Sequence, residues 1–350
     1  MRNITRLSFP IYIISQAAVG GYEEARGPLG DYFDITDGKD LFGMDTWERA
    51  EAEMSRLALN TALKKAGISH ESLSVISSGD LQNQCVASSG GLLSFGTPYL
   101  GLYGACSTST ESLIVTASYL SLTEGAIFGA AVTSSHNGAA ERQFRTPLEY
   151  GGQRTPSAQW TATASGAFIL SKHPSSVKIS AFMPGKMVDG YTKDASNMGA
   201  AMALAASDTV LTFFSEEDPA DYDLILTGDL GAVGSDILRD QIREHHPEHI
   251  RINSIHSDCG LMLYDRERQD VHSGGSGCGC LASVLASYIL PRVACGKIKK
   301  MALLSTGALM SPSSVLQGEH ILGIAPLIVI EHAACERSLP FKGEPEKWSL

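Results

Sequence analysis

The sequence has little positive charge and no basic run. Its 350 residues include 27 Lys and Arg against 38 Asp and Glu, a formal net charge of −11 at pH 7. Because general affinity for nucleic acid comes from clustered Lys and Arg side chains, this balance argues against a nucleic-acid-binding protein. The densest basic stretch, Lys297–Lys300, lies between apolar segments and is typical of a polar turn.

Long apolar runs are also missing. None approaches the roughly 20 residues that a membrane-spanning helix needs. The N-terminal run Phe9–Ile14 follows two arginines, as in a signal peptide, but it is short, contains Pro10 and Tyr12, and lacks a small-residue cleavage site. We therefore expect a first β-strand here, no signal peptide and no transmembrane segment. Any membrane association is expected to be peripheral.

Cysteine is sparse: the chain has 7, odd in number and scattered. A secreted disulfide framework is therefore not expected, and a reducing, cytosol-like compartment fits better. A zinc site is an alternative use of some of these residues, but their spacing is not a standard zinc pattern. Packing of small residues at a helix start explains Cys278 and Cys280 equally well, so no metal site is predicted. The residues considered for zinc are His256, Cys259, His272, Cys278 and Cys280.

Short apolar runs alternate with longer segments of helical character, which indicates a layered α/β fold. The segment Leu73–Leu81 is an apolar strand followed by Gly-Asp-Leu, and Tyr222–Leu230 repeats this pattern. The two copies are about 149 residues apart, counted from Gly79 to Gly228.

A second internal repeat follows in the same order. An Ala-Ser-Tyr helix segment at 117–119 precedes a strand at 126–133, and an Ala-Ser-Tyr segment at 286–288 precedes a strand at 300–306. This second offset is about 169 residues. Two ordered matches predict a duplicated α/β unit with halves 1–173 and 174–350, packed as one body.

The most informative segment surrounds Cys106. A strand at 99–103 leads through Gly104 and Ala105 into a helix, so Cys106 is predicted to lie at a helix N-terminus. There the helix dipole and free backbone N–H groups favour thiolate, and Ser107 can cap the same end. The small neighbours leave room for a ligand. A buried structural cysteine is the alternative interpretation.

This strand–Gly-Ala-Cys–helix turn in a duplicated chain resembles the thiolase and ketoacyl synthase superfamily. Within it, longer segments are similar to the stage V sporulation protein AD family and extend to about residue 331. The resemblance implies a thiolase-like α/β fold, with two pseudo-symmetric repeats packed as a layered αβαβα core. The similar segments are 27–30, 133–137, 140–145, 149–153, 223–230, 256–260 and 274–278.

In condensing enzymes of this superfamily, the matching cysteine accepts the acyl group and works with a second-half His and an Asn or second His. His256 is the predicted partner of Cys106. The repeat offset places Gly275 opposite Cys106, where glycine offers no acid, base or donor side chain, although His272 could substitute. The resemblance therefore implies a non-catalytic member with a vestigial nucleophile. An active acyltransferase that uses Cys106 is the alternative.

The resemblance also implies that the chain binds dipicolinic acid, or its calcium chelate, and aids its uptake into the forespore and its release at germination. A flat dianion needs cationic groups, a donor near the ring nitrogen and a flat wall. The long loop 136–163 supplies such residues. The predicted ligand-binding residues are Cys106, Ser107, His136, Asn137, Arg142, Arg145, Tyr150, His256, Asp258 and Gly275.

Each of these side chains has a structural alternative. For His136 the alternative is an internal hydrogen-bonding role, for Arg142 it is an ion pair with Glu141 or Glu149, and for Arg154 it is simple solvation. No cofactor is expected beyond calcium carried with the ligand. The implied partners are other membrane subunits of the stage V sporulation A apparatus at the spore inner membrane, and a second copy of the chain in a homodimer.

Overall fold

A mixed sheet of 11 strands dominates the structure, a computed structural model that describes residues 4–144 and 154–334. The first predicted strand is confirmed as β1. The strands are β1 (Thr5–Gly20), β2 (Ile35–Thr36), β3 (Leu73–Gly79), β4 (Tyr99–Gly101), β5 (Phe128–Ser135), β6 (Trp160–Thr161), β7 (Ala164–Ser171), β8 (Val177–Met183), β9 (Val188–Asp189), β10 (Leu224–Thr227), β11 (His256–Asp258), β12 (Gly275–Ser276), β13 (Lys300–Leu304), β14 (Gly307–Leu309), β15 (Leu322–Ile324) and β16 (Leu327–His332).

Helices cover the sheet, and within 4–144 and 154–334 none is long and apolar enough to cross a membrane. A π-helical turn, Leu285–Ile289, joins α10 to α11. The helices are α1 (Tyr22–Arg26), α2 (Trp47–Ala66), α3 (Val86–Leu92), α4 (Thr108–Leu122), α5 (Asn137–Phe144), α6 (Met198–Phe214), α7 (Gly231–His245), α8 (Arg251–Ile255), α9 (Cys259–Met262), α10 (Cys278–Val284), α11 (Leu290–Ala294) and α12 (Pro312–Leu316).

The order of the strands repeats along the chain. From one edge inward, the first five strands run β4-β3-β5-β7-β1, and the second five run β11-β10-β13-β16-β8 from the other edge. In each set the first three strands pair in parallel. The fourth strand pairs antiparallel with the third, and the fifth pairs antiparallel with the fourth. Antiparallel pairing of β1 with β8 joins the sets. The ends of β3 and β10 therefore occupy equivalent positions.

Three apolar cores separate the layers and confirm the expected layered α/β fold. α2 packs on the outer face of the first set of strands, α4 and α10 lie between the sets, and α6 and α7 cover the second set. The order is αβαβα. The middle core includes Leu113, Ala117, Leu120, Leu281 and Val284.

Local sequence explains these elements. In β13, Met301 and Leu303 join the middle core while Ala302 and Leu304 join the outer core, because side chains alternate across a strand. A strand buried on both faces needs such a continuous apolar run. α2 ends at Gly67, which adopts the left-handed conformation (φ 71°) that closes the helix.

Candidate functional site

Cys106 lies where β4 turns into α4, as the sequence predicts. The side chain is buried, and the preceding Ala105 adopts a positive φ of 53° that turns the chain into the helix. Ser107 does not face a ligand. Its hydroxyl oxygen lies within hydrogen-bond distance of Gly104 O, at 2.7 Å, and of Glu111 Oε1, at 2.6 Å, so it supports the turn from within.

The second half of the chain meets Cys106 with a serine and an aspartate. Ser276 Oγ lies 3.7 Å from Cys106 Sγ, and it also donates to Asp229 Oδ2 at 3.0 Å. Asp229 accepts two further hydrogen bonds, from Gly277 N at 2.9 Å and from Thr306 Oγ1 at 2.7 Å. The site is therefore built from the loops that follow β4, β10 and β13, together with β12.

The expectation that Gly275 stands opposite Cys106 is wrong by one residue. Ser276 occupies that position, because the starts of α4 and α10 are one residue further apart than the two Ala-Ser-Tyr segments that gave the repeat offset. A Cβ on Gly275 would point instead to Tyr264 Cε2 at 2.8 Å and Cys280 Sγ at 3.1 Å, within the middle layer. Glycine is needed here because this side of β12 has no free space.

Burial and charge oppose ionisation of the thiol. Burial raises the pKa of Cys106 well above its usual range, and the carboxylate of Asp229 raises it further. Burial likewise raises the pKa of Asp229, although Cys106, Gly277, Thr306 and Ser276 all donate to it. The sequence predicted a thiolate at this helix N-terminus, but the thiol is the favoured form. The helix dipole lowers the pKa of Cys106 by less than burial and the Asp229 carboxylate raise it.

His256 does not reach the thiol. Its Nε2 lies 2.9 Å from Thr227 Oγ1, and burial, with the charge of Arg239, lowers its pKa to about 3. The predicted partnership of His256 with Cys106 is therefore wrong. The imidazole is neutral and lies at the start of β11, where it contacts Thr227 of β10.

Asp258 is a structural residue as well. Its carboxylate accepts from the Thr227 hydroxyl at 2.7 Å and from the backbone N–H groups of Leu230 at 2.8 Å and Gly231 at 3.1 Å. These bonds fix the turn from β10 to α7, which carries Asp229. Asp258 thus holds the loop that positions Asp229.

A cavity of about 470 Å³ opens beside Cys106. Its wall is mostly apolar, formed by Leu81, Ala105, Ala140, Phe144, Ala195, Met198, Ala308 and Met310. The polar part consists of Tyr103, Cys106, Glu141, Thr161 and Ser276. Within the described part of the chain, this wall has no Lys, Arg or His, which differs from the cationic pocket that the sequence predicted.

His136 and Asn137 lie behind the cavity wall. His136 is buried, its Nε2 lies 2.8 Å from Asp40 O, and its Nδ1 accepts from Gly138 N at 3.1 Å. Asn137 donates from Nδ2 to Thr161 O at 3.2 Å. Both side chains hold the start of α5, and neither is among the described residues that line the cavity, so their contact with a ligand stays a prediction.

Arg142 contacts α2. It forms an ion pair with Glu48 and stacks on Trp47, its guanidinium 5.3 Å from the ring centre. Glu149, one of the local partners expected for it, lies outside the described residues. Arg145 and Tyr150 lie outside the described residues, so their predicted roles remain predictions.

The zinc alternative receives no support. In the described ranges, no three His, Cys, Asp or Glu side chains are placed to hold a metal ion. His272 instead pairs with Asp270 at 2.9 Å, and Arg154 binds the same carboxylate at 2.6 Å. Arg154 also packs on Trp160 and is largely buried rather than solvated.

Two residues of the site were not identified from the sequence. Asp229 follows β10 in the repeated Gly-Asp-Leu, so the repeat itself was the signal for it. Gln159 gave no signal. Its Nε2 donates to Asp229 O at 2.6 Å and to Gly275 O at 2.8 Å, and so joins the two second-half segments of the site.

The fold is that of the thiolase-like condensing enzymes. A variant of OleA from Xanthomonas campestris superposes with a TM-score of 0.59 at 12% identity, covering 93% of this chain and 100% of that one. The 3-oxoacyl-[acyl-carrier-protein] synthase III of Aquifex aeolicus VF5 gives 0.54 at 11% identity, covering 92% and 100%. Likenesses at this identity show the fold alone.

Sequence comparison is more specific. The profile of the stage V sporulation protein AD family matches residues 2–331. Stage V sporulation protein AD of Bacillus subtilis (strain 168) is 40% identical over 328 residues, which cover 93% of this chain and 95% of that protein. The chain therefore belongs to the stage V sporulation protein AD family, a sporulation family with a thiolase-like fold.

Proposed function

We propose that this chain binds dipicolinic acid, or its calcium chelate, in the cavity beside Cys106. Family membership supports dipicolinate as the ligand, and the cavity supports the location of the binding site beside Cys106. The apolar wall of the cavity offers flat contact to an aromatic ring, while Ser276, Thr161 and Cys106 offer hydrogen bonds at one end.

The observation that carries a binding role is the contact between Asp229 and Cys106. A condensing reaction needs a thiolate and a base that forms it. Here a carboxylate raises the pKa of the thiol, and the histidine expected as partner bonds to Thr227 instead. These features favour a binding protein over the alternative, an active acyltransferase that uses Cys106.

Calorimetric titration with dipicolinate, with and without calcium, tests the binding role. Ala195 is half-buried in the cavity wall, so Ala195→Phe would fill the space and is expected to weaken binding at least tenfold. Ala220→Phe makes the same change at an exposed position and should bind as wild type does. Equal affinity of both variants would place the ligand elsewhere.

Incubation with an acyl thioester, followed by intact-mass measurement, tests the alternative. We expect no adduct on Cys106, because the thiol stays protonated and buried. A stoichiometric adduct that turns over would make the chain an enzyme.

We further propose that the chain acts as a peripheral subunit at the spore inner membrane. There it would pass dipicolinate to or from membrane subunits of the stage V sporulation A apparatus, during uptake into the forespore and release at germination. The family supports this role. Co-purification of the tagged chain with the membrane fraction of sporulating cells, and its loss in strains that lack those subunits, is the expected result.

A further inference from the structure

We propose that Asp229 takes up a proton when a carboxylate ligand enters the Cys106 cavity, and that Ser276 then turns its hydroxyl from Asp229 to the ligand. The inference rests on the proposed function and adds its regulation: binding would strengthen as the pH falls.

The geometry sets up a competition for one hydrogen. Ser276 lines the cavity, but its hydroxyl donates to Asp229 Oδ2 at 3.0 Å. A hydroxyl has only one hydrogen to give. If it turned to a ligand carboxylate while Asp229 stayed ionised, Asp229 would lose a donor and face a second negative charge at close range.

One proton resolves this competition. A protonated Asp229 can donate its own O–H to Ser276 Oγ, and Ser276 can then donate to the ligand. No covalent bond between heavy atoms changes, and solvent supplies the proton. Gly277 N and Thr306 Oγ1 continue to hold Asp229 in place during the exchange.

Among the described residues, the surroundings of Asp229 offer no positive charge to compensate a ligand carboxylate. It is buried, with the thiols of Cys106, Cys259 and Cys280 and the carboxyl group of Asp258 as its titratable neighbours. The three thiols have pKa values well above the usual range, so they stay neutral at physiological pH. Asp258 adds no positive charge: burial raises its pKa to about 7, so its carboxyl group is partly ionised at physiological pH.

The cavity wall does not supply the missing positive charge either. Its titratable groups in the described residues are Tyr103, Cys106 and Glu141, and none is basic. Arg142, on the same helix as Glu141, is directed to Glu48 and Trp47. An anion that contacts Ser276 is thus compensated most directly at Asp229, whose burial already favours the protonated form.

Calorimetry of the wild-type chain with dipicolinate, in two buffers of different ionisation enthalpy and without calcium, measures the protons taken up. Above pH 6 both ligand carboxyl groups are ionised, so uptake must come from the protein. We expect uptake that approaches one proton per site, and an association constant that falls by up to about tenfold per pH unit between pH 6 and 8.5.

Asp229→Asn should show no proton uptake on binding dipicolinate and little pH dependence, because an amide does not take up a proton in this pH range. Asp236→Asn, at a side chain that is 73% exposed, should retain the wild-type uptake. Binding by wild type without proton uptake would overturn this inference and leave the proposed function intact. Absence of dipicolinate binding at every pH would overturn the proposed function, and this inference with it.

Discussion

The thiol of Cys106 and the hydroxyl of Ser276 lie 3.7 Å apart across the boundary between the two repeats. Each residue precedes the first residue of a middle-layer helix by two positions, since α4 begins at Thr108 and α10 at Cys278. The duplication therefore brings two equivalent turns face to face. It combines a first-half thiol with a second-half hydroxyl, and Asp229 holds the hydroxyl in place.

Asp229 should control the reactivity of the thiol. Asp229→Asn removes a carboxylate that raises the pKa of Cys106, so alkylation by iodoacetamide at pH 8 should become roughly tenfold faster for each unit by which that pKa falls. Peptide mass mapping over time measures the rate at Cys106.

Cys295 provides an internal control for this measurement. It is an exposed free thiol outside the site, and its alkylation rate should be the same in both proteins. If Cys106 reacts equally slowly in wild type and Asp229→Asn, burial alone suppresses it and the carboxylate has no effect.

Gln159 should be required to position the site. Gln159→Leu leaves the carbonyl groups of Asp229 and Gly275 without their shared donor, which should lower the free energy of unfolding by about 1–3 kcal/mol. Dipicolinate affinity should fall as well, because the loops that carry Asp229 and Ser276 lose their connection. Chemical denaturation and calorimetry measure the two effects.

The matched control is Gln317→Leu, which changes an exposed glutamine at the end of α12. It should leave both stability and affinity unchanged. A Gln159→Leu variant that binds dipicolinate as tightly as wild type would show that the hydrogen bonds of Gln159 do not position the site.

Glu51 should make the fold less stable as the pH rises. Burial, together with the charge of Asp80, raises its pKa from 4.5 to about 8. The folded state therefore holds this proton more tightly than the unfolded state, so the contribution is full below about pH 4.5 and is lost as the pH rises through 8. Between pH 5.5 and 8.5, wild type should lose roughly 3 kcal/mol relative to Glu51→Gln.

Urea denaturation at several pH values measures this difference. Glu124→Gln, at an exposed position, should follow the wild-type curve. Parallel curves for wild type and Glu51→Gln would mean that the Glu51 carboxyl group does not titrate in this range.

Periodicity and repetition were enough to predict the layered fold. Strands such as Leu73–Gly79 and Leu224–Thr227 are marked by apolar runs that end in Gly-Asp-Leu, and the turn at Cys106 is marked by small residues before a helix. These signals are local, so a single sequence contains them. They place Cys106 correctly.

The partners of Cys106 were harder to predict because they depend on tertiary contacts. A single-residue shift in the repeat offset exchanges Gly275 for Ser276, because the starts of α4 and α10 are one residue further apart than the Ala-Ser-Tyr segments that gave the offset. His256 and His136 were chosen for their chemistry, but their ring nitrogens are engaged by Thr227 and by Asp40 and Gly138. Burial decided their roles, and burial of a polar side chain is not visible in the sequence.

The edge strand β4 should form the contact of a homodimer. Within the described residues β4 ends the sheet and pairs with β3 alone, and its Tyr99 and Leu100 are 37% and 41% exposed. Val86 and Leu93, on neighbouring elements, are exposed as well. An exposed apolar edge strand favours pairing with another chain, and antiparallel pairing with a second copy satisfies two-fold symmetry.

Leu100→Lys places a charge at the centre of this contact and should convert a dimeric chain to a monomer in sedimentation velocity experiments. Leu122→Lys makes the same change at a side chain that is 85% exposed, at the end of α4, and should stay dimeric. A Leu100→Lys variant that remains a dimer would move the interface away from β4. A wild-type chain that is monomeric at all concentrations would show that the exposed edge has another partner.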